Sequence, residues 1–539
     1  MFNELFGFTG RGRCRIMNSG LRQGMTISDQ LARHAAKIPD EVAVRFLAQG
    51  GAVDRTYAHL DERVDRLANA WLARGVRSGD RIAVLTLNTT EAVEAYFACA
   101  RIGAIVVTVN FRLVADEIAH VLNDSGASVI VVDEILAPVV AAARKNAPSL
   151  RHFFVIGAAD AETGWETYEH ALEAASPDPV RIDVDEHSAS FIIYTSGTTG
   201  RPKGAVLTHY GLFVQATNML IHLGVPTDAK VWLISTPLFH IGGVAGMLSP
   251  ILRGDRLALM PMGAFDPAYT LDVLERERVN VSFFVPAQWQ LICDAYASGS
   301  YDLSALRVSA WGAAPATPAL LRTIMDSFPE SLLYCSFGMT ETAGSATILM
   351  GVDALEKIGS VGTPLLNVEV RIVDKEMRDV VPGEVGEIVY RGPTIMKEYW
   401  NNPSATRAAF EGGWFHSGDL VRQDADGYIY VVDRLKDMFI SGGENVYSAE
   451  VEIAVSDHPK VAEVAVIGVP DEKWGEVPLA IVVPAESEEP PTAAEIEGWC
   501  RERLAAYKVP RRLSVVAALP RNASGKVLKT RLREEFLPE

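Results

Sequence analysis

The sequence predicts an α/β protein: a large N-terminal domain of stacked βα layers with a β-rich subdomain, followed by a small α+β C-terminal domain. Three observations predict it. Helical and strand periodicities alternate from Tyr57 to about Phe154, the rhythm of βαβ crossovers in a largely parallel sheet with helices on both faces. From Val368 to Tyr390, Val and Ile alternate with polar residues around the turn Pro382-Gly383, which reads as antiparallel strands. After Asp433-Arg434, two apolar runs and one helical segment lead into a basic C-terminus.

In chain order, Thr26 with Asp29 and the apolar Leu31 and Ala35 mark a capped helix start, so the folded part is expected to begin near Met25 after an extension over 1–25. Leu60, Val64, Leu67 and Leu72 mark a helix, Ile82–Leu87 a strand and Glu91–Arg101 a helix. Ile105–Val109 reads as a strand, Ala115–Leu122 as a helix and Val129–Val132 as a strand. A polar stretch, Ser176–His187, leads into the apolar strand Phe191–Tyr194, and alternation resumes through Leu233, Ala258, Val281 and Val308 as a second βα layer. Strands are expected at Val464–Val469 and Leu479–Val483 and a helix near Ala493–Ala506. The domain boundary is placed at Lys436, giving 26–435 and 436–539.

At 539 residues the chain exceeds one ordinary core, and its composition, 48% hydrophobic and 22% charged, is that of a soluble globular protein. A formal net charge of -18 opposes nucleic acid and anionic lipid, so a phosphate-bearing ligand has to be captured by local groups. Cys14, Cys99, Cys293, Cys335 and Cys500 are scattered and odd in number, which argues against a disulfide framework or structural zinc and for a reducing cytoplasm. No run approaches the ~18 apolar residues of a membrane span, and a homodimer is left open.

The strongest signal is Tyr194-Thr-Ser-Gly-Thr-Thr-Gly-Arg-Pro-Lys-Gly204, directly after a strand. Its glycines let the backbone turn tightly and approach phosphate oxygens, Thr195, Ser196, Thr198 and Thr199 offer hydroxyls, Gly197 lies between them, and Lys203 brings charge. It is a phosphate cradle without the spacing of the common P-loop.

That segment, with others in a fixed order, resembles the acyl-adenylate-forming superfamily of acyl-CoA synthetases, luciferases and peptide-synthetase adenylation domains, over essentially all the chain after Thr26. Phe337-Gly-Met-Thr-Glu341 resembles the family's aromatic-Gly-x-Thr-Glu motif, with Phe337 where Tyr is more common. The resemblance implies that Phe337 and Gly338 bind the nucleotide, that Thr340 meets phosphate and that Glu341 holds Mg2+. Gly312, Ala313 and Ala314 resemble the adenine-side segment, and Asp419 and Arg434 the pair on the ribose. Pro520-Arg-Asn-Ala-Ser-Gly-Lys526 resembles the motif whose lysine offsets charge as a carboxylate attacks the α-phosphate.

The same resemblance implies a mobile C-terminal domain that rotates about Lys436 and brings in a coenzyme A tunnel beside Gly442 and Gly443. Trp474, Tyr507, Lys508 and Arg511 are candidates for the nucleotide end of CoA. His240 resembles the gate of an acyl pocket that Ile241, Gly242, Gly243, Trp311 and Met339 line, with small residues expected to leave volume. The implied activity is an ATP-dependent ligation of a small carboxylic acid to CoA through acyl-AMP, releasing AMP and pyrophosphate. Similarity over Asp433–Glu452 and Pro470–Val477 favours a medium or long-chain fatty acid, with cinnamate, ferulate or coumarate as the alternative. An enzyme loading a carrier protein shares these motifs and stays open. An amino-acid-activating domain is disfavoured by the lack of an acid between His240 and Gly246.

Overall fold

The computed structural model describes residues 24–48, 50–158, 164–195, 202–314, 316–441, 444–471, 473–485, 489–521 and 526–537. Among them the strands form three sheets of thirteen, eight and five strands. In the eight-stranded sheet the apolar runs Arg81–Leu85, Ile105–Thr108, Val129–Asp133 and His152–Ile156 lie parallel, and Ala189–Thr195 joins them. The sheet ends with the antiparallel Lys203–Thr208 and the short Glu398–Tyr399.

The thirteen-stranded sheet is parallel at its centre, through Leu332–Phe337, Val308–Gly312, Val281–Phe283, Val231–Ile234, Arg256–Leu259 and Val42–Ala48. It turns antiparallel through Thr347–Met350, Ser360–Pro364, Ile429–Arg434, Phe415–Gln423, Val385–Arg391 and Glu369–Val373. The antiparallel reading of 368–390 therefore matches the strands Glu369–Val373 and Val385–Arg391, paired from Glu369↔Arg391 to Val373↔Glu387.

Strand alternation builds the layers. Ile82 and Val84 point into one core together with Trp232, Ile234, Val308 and Ala310 of the other large sheet. Ala83 and Leu85 point into a second core outside the smaller sheet, and Leu233, Trp311 and Leu333 into a third outside the larger. The helices Tyr57–Ala73 and Thr90–Ile102 contribute to the middle core. In the latter every residue but Glu91 is buried, as expected of a helix between two sheets. The buried Asn88 ties the layers, donating to Thr236 O at 3.0 Å and accepting from Leu238 N at 2.9 Å.

At Leu435–Met438 a turn separates the last strand of the large sheet from Phe439–Ser441 of the small one. The small sheet has Val466, Ala480 and Val482 on one face and Ala465, Ile467 and Ile481 on the other, each packed into its own core. Its helix Ala493–Arg501 stops short of Ala506. The hairpin Val42–Ala48 and Gly51–Thr56 was not read from sequence; it pairs with Arg256–Leu259 across more than 200 residues, contact that local pattern cannot signal.

Gly362 lies in Ser360–Pro364, within the antiparallel half of the large sheet, with φ +84° and with room for no side chain, since a Cβ would stand 1.9 Å from Ile348 O. Gly362→Ala should therefore destabilise the protein by ~2–4 kcal/mol. A thermal-unfolding midpoint unchanged from the parent would contradict this.

Candidate active site

The cleft forms where the two large sheets meet. Thr195 and Lys203 are register partners at the end of the antiparallel pair Ala189–Thr195 and Lys203–Thr208, so the Gly/Thr-rich loop spans from one to the other. Its stem is braced: Tyr194 donates to Asp124 Oδ2 at 2.6 Å, and Trp400 Nε1 donates to Asp124 O at 3.1 Å. Gly204 is forced by this packing, since a Cβ would lie 2.6 Å from Ile192 Cγ2. Ser196, Gly197, Thr198 and Thr199 lie outside the described residues, as do Gly442, Gly443 and most of the 1–25 extension.

Opposite the loop, the strand Leu332–Phe337 ends in Phe337-Gly338-Met339 and the single turn Thr340–Thr342. Gly338 is pressed against the returning chain, where a Cβ would stand 1.9 Å from Gly344 O. Thr342 Oγ1 accepts from Met339 N at 3.0 Å and Ala343 adopts φ +55°, which fixes the turn. Glu341 is thereby buried and held from the other sheet: Tyr399 OH donates to its Oε1 at 2.9 Å, and the Thr195 hydroxyl lies 3.4 Å from the same atom. The Lys203 ammonium sits 5.2 Å from the centre of the Tyr399 ring. Tyr399 is a residue that sequence reading missed; it lies in a two-residue strand with no periodicity to mark it.

Adjacent strands Phe415–Gln423 and Ile429–Arg434 set Asp419 opposite Arg434, whose Nε is 2.5 Å from Asp419 Oδ1. Asp419 Oδ2 is buried without a hydrogen-bond partner among the described residues, an acceptor suited to a pair of sugar hydroxyls. Burial pushes the Asp419 carboxyl up to about 6, against the pull of Arg434 and Lys526. Gly312 ends its strand with a Cβ position 2.7 Å from Ser336 O, and the exposed Ala313 takes φ +64°. The backbone there is open to a flat ligand, with Ala314 exposed beside it.

Lys526 comes from the small unit into this cleft. Its side chain keeps an open side, yet desolvation, then repulsion from Arg434 and Lys436, lowers its pKa, while Asp419 and Glu341 oppose the shift. Its charge also reaches His240, the residue before the helix Ile241–Arg253, whose pKa is lowered to about 4 by burial, Arg112 and Lys526. His240 is thus neutral at physiological pH. A polar joint holds the two units in this arrangement. Asp433 of the large sheet accepts from Ser448 Oγ at 3.0 Å and Ala449 N at 3.2 Å; within the small unit, Arg533 pairs with Asp437 at 2.9 Å and donates to Lys436 O.

Two pocket expectations are corrected. Gly243 and Gly246 are small because they are packed: a Cβ would meet Pro237 O at 2.1 Å or Ile234 Cδ1 at 2.8 Å, and only Gly242 faces open space. Trp311 points into the outer core with Trp289 and Phe284, because strand alternation turns it away from the middle layer. Ile241 and the half-buried Met339 do pack against the middle layer. The four CoA candidates do not share a face. Trp474 packs on one side of the small sheet with Arg511 4.8 Å from its ring, whereas Tyr507 packs on the other, beside a Lys508 that is paired to Glu450 at 2.7 Å.

Comparison with known proteins gives a coherent picture. Residues 31–400 match the family model for AMP-binding enzymes, and residues 450–526 match the AMP-binding enzyme C-terminal domain. A feruloyl-CoA synthase of Amycolatopsis sp is 41% identical over 506 residues, 94% of this chain and 98% of that protein. The long-chain-fatty-acid–CoA ligase FadD13 of Mycobacterium tuberculosis is 36% identical over 518 residues, 96% and 97% of the two chains. Among solved structures, o-succinylbenzoate CoA synthetase (MenE) of Bacillus subtilis with its acyl-adenylate intermediate superposes with a TM-score of 0.82 at 32% identity, covering 95% of this chain and 99% of that one. The same protein has been solved with ATP and magnesium ion, at a TM-score of 0.81 and 31% identity over 94% and 99% of the chains.

Two outcomes follow from the geometry. Tyr399→Phe, which removes the donor to Glu341, should lower kcat/KM for MgATP ~5–10-fold with folding intact; an unchanged value would show that Glu341 needs no such support. Asp419 accepts hydrogen bonds best when ionised, so ATP affinity should be full well above pH 6 and fall as pH drops through about 6. Asp419→Asn should weaken ATP binding ~10–100-fold and flatten that pH profile, as read by titration of ATP from pH 5 to 8. A limb that survives in the variant would belong to another group.

Proposed function

The chain belongs to the AMP-binding enzyme family, and on that premise we propose how its residues divide the work of an AMP-forming acyl-CoA synthetase. The enzyme is an ATP-dependent acid–CoA ligase working through an acyl-AMP intermediate, with ATP, Mg2+ and coenzyme A as its requirements. One carboxylate oxygen attacks the α-phosphorus and pyrophosphate leaves. The CoA sulfur then attacks the acyl carbonyl, the carbon–oxygen bond breaks and AMP departs.

Lys526 carries the proposal. Its ammonium, from the small unit, acts electrostatically on both His240 at the acid side and Asp419 at the ribose side. It offsets the charge that builds when two anions are joined. Asp419 and Arg434 hold the ribose, while Gly312, Ala313, Ala314, Phe337 and Gly338 receive the base. Thr195, Ser196, Gly197, Thr198, Thr199, Lys203 and Thr340 hold the phosphates. Glu341 fits Mg2+: it is one buried carboxylate steadied by two hydroxyls, and among the described residues no group of three metal-ligating side chains forms an all-protein cage. A hard cation bound by one carboxylate with substrate phosphates needs no more. When bound, the ion offsets phosphate charge.

For the second step the small unit turns about Lys436, withdrawing Lys526 and presenting Gly442 and Gly443 to the pantetheine arm. Trp474 with Arg511 is the better pair for the nucleotide end of CoA, because Lys508 is already neutralised by Glu450. A cytoplasmic setting accords with Cys99, Cys293, Cys335 and Cys500 being buried free thiols, and no helix among the described residues is long and apolar enough to cross a membrane.

The acid is read as aromatic. The expected volume at Gly243 and Gly246 is taken up by packing, which disfavours a long flexible chain. Similarity to feruloyl-CoA synthase accords with this. The fatty-acid reading is second, favoured by FadD13 over nearly the whole chain.

Lys526→Ala should cut acid-dependent pyrophosphate exchange at least ~100-fold while leaving thioester formation from supplied acyl-AMP within ~3-fold of wild type. Gly442→Leu should do the reverse. Equal losses in both half-reactions for both variants would rule out the rotation.

A further inference from the structure

Resting on the assignment of Asp419 to the ribose, we propose that Glu387 is a positioning residue for ATP binding: it clamps the β-bulge that aims the Asp419 carboxylate into the cleft. Asp419 does not sit in a regular ladder. Between the pairs Glu387↔Leu420 and Val389↔His416, the three residues Ser417, Gly418 and Asp419 stand opposite the single Ile388. Such a bulge breaks the alternation of a strand and re-aims a side chain, and it leaves backbone groups that the ladder no longer pairs.

Those groups are taken up one by one. The Ser417 hydroxyl donates to Ile388 O at 2.6 Å and accepts from Asp419 N at 3.0 Å. Gly418 takes φ +71°, a left-handed conformation that glycine adopts without strain. Its N–H donates to Glu387 Oε1 at 2.8 Å, and its carbonyl accepts at 2.8 Å from the N–H of Leu435, the residue after Arg434. Glu387 Oε2 is used as well, lying 2.8 Å from Nδ1 of His416, just before the bulge. One half-buried carboxylate therefore spans the bulge. Through the Gly418 peptide the clamp reaches both members of the ribose pair, Asp419 as the next residue and Arg434 by way of Leu435.

Glu387 contributes position and not charge. Burial raises the Asp419 pKa, Arg434 and Lys526 lower it, and the charges of Glu341 and Glu387 raise it further. A purely electrostatic role for Glu387 would thus oppose the ionised acceptor that sugar hydroxyls need. A hydrogen bond from a backbone N–H to a carboxylate is among the stronger ones, and its removal leaves the Gly418 N–H without an acceptor inside the sheet. The bulge is then free to settle elsewhere, and an acceptor displaced by about 1 Å loses much of its hold on a ligand.

The test is a double-mutant cycle read by ATP titration at about pH 8, above the range in which Asp419 titrates, with thermal unfolding to confirm that each variant folds. Glu387→Ala should weaken ATP binding ~10-fold in the wild-type background and less than ~2-fold in Asp419→Asn, because it acts through a carboxylate which that variant lacks. Glu387→Gln, which keeps an acceptor for the Gly418 N–H, should hold affinity to within ~3-fold of wild type. Equal losses in both backgrounds, no loss in the wild-type background, or a Glu387→Gln as weak as Glu387→Ala overturns the proposal. Should Glu387→Ala fail to fold, Glu387→Asp, which keeps the charge but withdraws the carboxylate by one methylene, takes its place in the cycle with the same outcomes. If Asp419→Asn itself leaves ATP affinity unchanged, the ribose assignment falls and this proposal with it; a loss there that Glu387→Ala does not share sinks only the clamp.

Discussion

The buried carboxylate of Glu341 is where the two large sheets of this enzyme meet. It is borne by the thirteen-stranded sheet, yet the hydroxyls around it, on Tyr399 and Thr195, come from the eight-stranded one. Met396 N reinforces the contact by donating to Glu341 O at 2.7 Å. A carboxylate taken out of water needs such donors. The contacts that satisfy it also fix the distance between Thr195 and the turn at Thr340.

The second constraint is electrostatic. A chain of formal charge -18 has to bring a triphosphate and a carboxylate together. The cleft holds local cations for this: Lys203 beside the Tyr399 ring, Arg434 against Asp419, and, in our proposal, Lys526 from the small unit. Arg434 and Lys436 raise the cost of the Lys526 charge, while Asp419 and Glu341 lower it. An ammonium held in such a balance favours an anionic transition state over an empty cleft. The bonds from Asp433 to Ser448 and Ala449 join the small unit to the large sheet through polar groups.

Much of this was legible in the sequence, for physical reasons. Fully buried parallel strands such as Ile105–Thr108 read as unbroken apolar runs, and helices such as Tyr57–Ala73 carry their period openly. That Asp419 and Arg434 share one site was legible through the motif resemblance, and the two side chains do pair. Tyr399 was not, because it matters through a contact more than 50 positions away in the chain, with Glu341. Glycines misled for a related reason: sequence shows that a side chain is missing at Gly243 but not whether the space left is empty or filled by Pro237. Trp311 was misread because the face a strand residue presents depends on its register in the sheet.

The most direct measurement is the fate of the substrate's carboxylate oxygen. With a hydroxycinnamate labelled with oxygen-18 in its carboxylate, activation at the α-phosphorus in this cleft predicts one labelled oxygen in the phosphate of AMP for every thioester formed. Label appearing in pyrophosphate or inorganic phosphate, or thioester formed with no label in AMP, would contradict it.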